Sequence, residues 1–167
     1  MRRRGFRDKT LLLESGKWFD LQILKIIDIP GDQPYFMARD MNGLKHLIPS
    51  SYYGDYDLRE GDTISCRLDR INCLGRFFFE PIHPFYKSGG TYYFKLKEFL
   101  RHSDCTNNIF SAKVIDIFGN EWETKKFLSE TEPSPEIDSV LCRVEAVKKA
   151  KLFLSVIDRR IDHKPSA

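Results

Sequence analysis

The residues of this chain best suited to chemistry are aromatic rings set beside cations. Alternation places Trp18, Asp20 and Gln22 on one strand face, with Tyr35, Met37 and Arg39 on the matching face of a second strand. Phe19, Leu21, Ile23, Phe36 and Ala38 take the opposite, inward face. Later in the chain, Tyr93, Lys95 and Lys97 face outward by the same rule. Phe110, Ala112 and Val114 turn inward there and leave Ser111 and Lys113 outside. A ring face stacks on a nucleobase, worth about 1–3 kcal/mol, and a nearby cation meets the adjacent phosphate. Lys148, Lys149 and Lys151 form a basic turn placed to touch phosphate as well. Asn72 to Arg76 is a weaker counterpart, and Arg2, Arg3, Arg4 and Arg7 make a basic N-terminal arm. The same rings would also serve to cover a twisted sheet or to dock a protein. A lysine turn is in most proteins ordinary solvated surface.

Little else here suits chemistry. Histidines 46, 83, 102 and 163 are scattered, no serine or cysteine sits in a nucleophile motif, and no glycine-rich loop cradles phosphate. Asp40 and Asp116 head similar turns, where a carboxylate commonly bonds backbone N–H groups. Cys66 and Cys142 lie within apolar alternation and read as small buried hydrophobes, and Cys73 and Cys105 stand alone. A non-enzymatic protein without metal or cofactor is therefore expected. The hydrophobic fraction of 41% and aromatic fraction of 13% argue for a folded chain rather than a disordered one. No apolar run is long enough to span a bilayer, and the basic N-terminus lacks a signal-peptide core, so an intracellular, cytoplasmic protein is expected. The net charge of +3 neither demands a polyanionic partner nor excludes one.

The elements that must position these residues recur. Glu60, Asp62, Cys66, Arg67 and Phe77 return, 76 residues on and without a gap, as Glu136, Asp138, Cys142, Arg143 and Phe153. The same spacing carries Asp40 and Gly43 onto Asp116 and Gly119, and Leu24 and Asp28 onto Leu100 and Asp104. The reading is of two small domains, 15–82 and 91–158, with a basic arm at 1–14, a short packed joint at 83–90 and a tail at 159–167. Each copy reads as strands between turn signals. The first has strands at Trp18–Ile27, Tyr35–Arg39, Leu44–Ile48, Thr63–Ile71 and Arg76–Pro81, with 49–60 a longer connection holding a short helix. The second has Thr91–Arg101, Ile109–Ile115, Asn120–Phe127, Ser139–Val147 and Lys151–Ile157, with an acidic, proline-rich loop over 129–136.

Five strands with a long connection between the third and fourth is the order of an OB-fold barrel, so the fold expected is all-β, two tandem five-stranded OB-fold barrels. The first copy also resembles the S-one type RNA-binding repeat. Gly16, the aromatic Tyr35 or Phe36, Gly43-Leu44-Lys45-His46-Leu47 and Gly61-Asp62-Thr63-Ile64 carry that resemblance. It implies single-stranded RNA binding on the second and third strands, through aromatics and His46. Lys45 replaces an apolar residue of the pattern, and Trp122 stands in the second copy where the histidine would be. Strand parity offers another role for His46. With Leu44, Ile48, Trp122 and Thr124 it would point inward, as a core histidine with a hydrogen-bond partner. The expected partner is single-stranded nucleic acid, RNA before DNA, with a protein partner as the alternative and no membrane.

Overall fold

In the computed structural model, residues 13–104, 107–129, 133 and 137–158 are described. The basic residues of the N-terminal arm, Cys105, most of the acidic loop and the C-terminal tail lie outside them. The chain is all-β and divides after Ile82 into two compact units. Among the described residues no helix is long and apolar enough to cross a membrane.

The first unit is one curled antiparallel sheet. Its strands are β1 (Trp18–Ile27), β2 (Tyr35–Arg39), β3 (Lys45–Pro49), β4 (Thr63–Ile71) and β5 (Phe77–Pro81), in the order β3-β2-β1-β4-β5. Period-two alternation fixes which face closes over the core. Phe19, Leu21 and Ile23 of β1 lie buried beside Ile64, Cys66 and Leu68 of β4. The outer strands approach one another through side chains: the His46 ring of β3 meets Phe77 and Phe79 of β5 at 5.5 and 4.8 Å between centroids. The connection from β3 to β4 forms two 3-10 turns, Ser50–Tyr52 and Gly54–Tyr56, which tuck Tyr53 and Tyr56 into the core.

The second unit has β6 (Thr91–Asp104), β7 (Asn107–Ile115), β8 (Glu121–Glu123), β9 (Phe127–Leu128), β10 (Ser139–Lys148) and β11 (Lys151–Asp158). Their order is β11-β10-β6-β7-β8, with β9 also on β7. Asn120 to Phe127, expected as one strand, is broken at Thr124. Thr124 bonds Ala112 through its backbone N–H and through its hydroxyl, which accepts the Ala112 N–H, and forms a parallel bridge to Leu154. That bridge, with the Lys125 N–H to Leu154 carbonyl bond, ties the β8 side of the sheet to β11. Tyr86, in the segment read as a joint, is 1% exposed in this unit's core, its ring stacked 5.1 Å from Phe94 and its hydroxyl accepting the Ile117 N–H.

The registers of the two units correspond pair by pair, but not at one spacing. Ala38 faces His46 as Val114 faces Trp122, 76 residues on. Leu21 faces Ile64 whereas Phe94 faces Val140, so the first strands are related by 73 residues. Leu68 faces Phe79 and Val144 faces Leu154, a spacing of 75 for the last strands. The expected gapless register is thus corrected. It would lay exposed Trp18 on buried Phe94, reversing the face of the whole strand. Between matching pairs the β6–β7 hairpin holds three more residues than β1–β2, and the β10–β11 turn one fewer than β4–β5.

Candidate nucleic-acid interface

A concavity of the first unit lies over β3, between the β1–β2 turn and the β4–β5 turn. Its volume is about 540 Å³, and Ile29, Asp32, Tyr35, Leu44, Lys45, His46, Leu47, Gly75, Arg76 and Phe77 line it. Local sequence explains each wall. Asn72 turns the chain into β5 by accepting the backbone N–H groups of Leu74 and Arg76 at 3.1 and 2.8 Å. Arg76 then reaches over the Phe78 ring, 5.7 Å from its centroid, with Arg70 at 4.6 Å on the same ring. On the facing turn Asp32 accepts the Gln33 N–H at 2.8 Å and the buried Tyr35 hydroxyl at 2.9 Å. Those two bonds hold its carboxyl below the usual carboxylate range against an opposing desolvation, with a lesser contribution from the charge of Arg76. Lys45 is exposed on β3 directly opposite Arg39, so the floor of Leu44, Leu47 and Phe77 has cations at Lys45 and Arg76.

The aromatic patch expected on this unit is not assembled. Trp18 is exposed, opposite Arg67. Arg39 pairs with Gln22, four residues along β1 from Trp18, about 13 Å at strand rise, and donates to the Gln22 amide oxygen at 2.8 Å. Tyr35 sits farther still, opposite Ile27, and is 6% exposed. The expectation that Tyr35 offers an outward stacking ring is therefore corrected: its ring is in the core and only its hydroxyl is engaged at the groove. Met37 is half-buried between Leu47 and Lys25. His46 is buried, as parity alone required. Its Nε2 meets Asp40 Oδ2 at 2.9 Å while its ring edge packs on Phe77 and Phe79, so the base-contact role is corrected too.

In the second unit the outward lysines have carboxylate partners. Lys113 donates to Glu98 at 2.9 Å, which raises its pKa, and Lys97 bonds Glu121, which lowers that carboxylate's. Tyr93 and Lys95 remain exposed. Ser111, expected outside, is fully buried. Its single proton goes to Glu123 at 2.7 Å, so His102 Nε2 at 2.8 Å must be the donor to it. Lys148 and Lys151 face each other across the tight β10–β11 turn, where Lys149 and Ala150 both have positive φ, 48° and 61°. Among the described residues, no three His, Cys, Asp or Glu side chains gather as a metal site would require.

Lys45, Asp32 and Phe77 were not singled out by the sequence as interface residues, and Arg76 entered only within the turn 72–76, the weaker counterpart of the lysine turn. The available signal was Lys45 itself, a cation beside His46 in a third strand whose other residues are apolar. Comparison with family models, curated proteins and solved structures returns no match for this chain.

Proposed function

We propose that this chain is a non-enzymatic tandem OB-fold protein that binds single-stranded nucleic acid, RNA before DNA, chiefly through its first unit. Support for the fold comes from the strand order β3-β2-β1-β4-β5, the long β3–β4 connection and the contacts between outer strands. The corresponding registers of the two units favour a duplication with loop-length changes. In that fold, oligonucleotides lie on strands two and three between the first and fourth loops. The groove over β3 occupies this position, and its pairing of an apolar floor with Lys45 and Arg76 is the observation that carries the reading. The floor receives a base, and the two cations meet flanking phosphates. The preference for RNA rests on the resemblance to the S-one type repeat.

The second unit contributes less to this function. Lys97 and Lys113 are each engaged by a carboxylate, and the exposed turn lysines Lys148, Lys149 and Lys151 are its phosphate-attracting group. Protein docking is the second reading for this unit, favoured by Tyr93, which is 61% exposed and opposite Leu141. Photo-cross-linking of an oligonucleotide carrying 4-thiouridine tests the assignment. Adducts on peptides spanning 29–47 and 72–77 are expected. Adducts confined to the second unit would remove the first-unit groove from the account.

A further inference from the structure

The groove contains a group that a simple phosphate-binding site would avoid. Asp32 is the one carboxylate among its described lining residues, set in the same concavity as Lys45 and Arg76. It is held firmly: Oδ1 accepts the Gln33 N–H and Oδ2 the hydroxyl of Tyr35, whose ring is fixed in the core. Each carboxylate oxygen can accept a second hydrogen bond, so both remain able to take a donor from a ligand. Against phosphate this anion is repulsive. Among the groups of an RNA strand it is favourable toward hydrogen-bond donors, the ribose 2′-OH and the donors of a base edge, and of these only the base edge distinguishes one nucleotide from another.

The natural bases differ sharply in that respect. Guanine presents two adjacent donors, N1–H and N2–H, spaced to meet the two oxygens of one carboxylate. Adenine and cytosine present one amine beside an acceptor nitrogen. Uracil flanks its single N–H with two carbonyl oxygens, which would face the carboxylate lone pair to lone pair. Unstacked bases in single strands are read on this Watson–Crick edge. The groove volume of about 540 Å³ lies within the range of small-ligand pockets and exceeds the volume of a purine base.

Resting on the nucleic-acid reading of this same groove, we propose that Asp32 makes it guanine-selective. The base lies on Leu44, Leu47 and Phe77, its Watson–Crick edge toward Asp32, while Lys45 and Arg76 take the phosphates. Tyr35 is a positioning residue, acting through the carboxylate it orients.

The test uses the full chain and labelled RNA octamers of uridine carrying one central guanosine, inosine, adenosine or uridine. Inosine keeps N1–H and lacks the N2 amine, so it probes the two-donor geometry with no change to the protein. Guanosine is expected to bind about tenfold tighter than uridine, the order of one good bidentate base contact, with inosine between them. Asp32→Asn should erase the guanosine preference, so that the guanosine and all-uridine octamers bind within about twofold of each other. Equal wild-type affinity for all four octamers overturns the selectivity while leaving the groove as a nonselective site. A guanosine preference that survives in Asp32→Asn also overturns it. Failure of every octamer to bind overturns the nucleic-acid reading and this inference together.

Discussion

Trp122 donates its indole N–H to Asp116 Oδ2 at 2.8 Å, in the place where His46 Nε2 meets Asp40 Oδ2 at 2.9 Å. Both aspartates head a hairpin turn, and both spend the other oxygen on turn N–H groups. Asp116 Oδ1 accepts from Phe118 and Asn120, and Asp40 Oδ1 from Asn42 and Leu44. Gly43 and Gly119 complete these turns at φ of 84° and 88°, where a side chain would be strained. One carboxylate thus fastens each turn to the strand that follows it. The donor differs, imidazole in one unit and indole in the other, while the acceptor stays.

Loss of that anchor should destabilise the second unit. Asp116→Ala removes an acceptor that serves four described N–H donors, at a cost of about 3 kcal/mol, since bonds to a charged, buried group are the stronger kind. Trp122→Phe leaves the turn bonds intact and should cost about 1–2 kcal/mol. Urea unfolding followed by circular dichroism measures both. Octamer binding by Asp116→Ala should be unchanged where the protein remains folded, because the groove belongs to the other unit.

The ion-paired lysines of the second unit should be nearly silent. Lys97→Ala and Lys113→Ala each break a solvent-exposed pair, worth less than about 1 kcal/mol. Each is expected to leave the affinity for single strands within about twofold of wild type. A several-fold loss in either, read by fluorescence anisotropy, would move the binding surface to that unit.

Alkali should unfold the first unit early. Burial raises the pKa of the Tyr53 and Tyr56 hydroxyls and of the Cys66 thiol above their unfolded values. The native state therefore holds protons that the unfolded chain releases. The contribution is complete below about pH 8.5, where an unfolded thiol begins to ionise, and declines as pH rises through the tyrosine range near 10. Tyr53→Phe should flatten that decline in a pH series of denaturation midpoints. In the second unit burial pushes the Cys142 thiol up to about 12. Thiol reagents should accordingly label exposed Cys73 well before Cys66 or Cys142.

The β10–β11 turn carries local strain that substitution can remove. Lys149 and Ala150 both occupy the left-handed region that Asn-Gly fills readily in two-residue hairpins. Lys149→Asn with Ala150→Gly should stabilise the second unit by about 1 kcal/mol, as a higher urea midpoint. A lower midpoint would mean that the Lys149 side chain contributes more than its backbone costs.

Strands were legible where one face is apolar and the other polar. β1, β2 and β4 begin and end where alternation in Trp18–Ile27, Tyr35–Arg39 and Thr63–Ile71 places them. What eluded the sequence depended on partners from other strands. Tyr35 reads as outward by parity, yet it opens its strand three residues after Asp32, and bonding that carboxylate lets the ring stay inside. Ser111 likewise reads as outward until His102 and Glu123 satisfy it. The gapless spacing failed for β6 because hairpin length changes at no cost to the core, while inward and outward faces must be kept. The groove was hidden because its walls, Asp32, Lys45 and Arg76, come from three separate segments.

The central claim, that the groove over β3 binds single strands, is tested most directly by anisotropy titration of labelled single-stranded RNA at about 50 and 200 mM salt. Wild type, Lys45→Ala and Arg76→Ala are compared. The account predicts saturable binding that weakens with salt, a several-fold loss in each variant, and a salt slope shallower by about 0.7 for each phosphate contact removed. Absence of binding at the lower salt, or affinities and slopes that neither substitution changes, would contradict it.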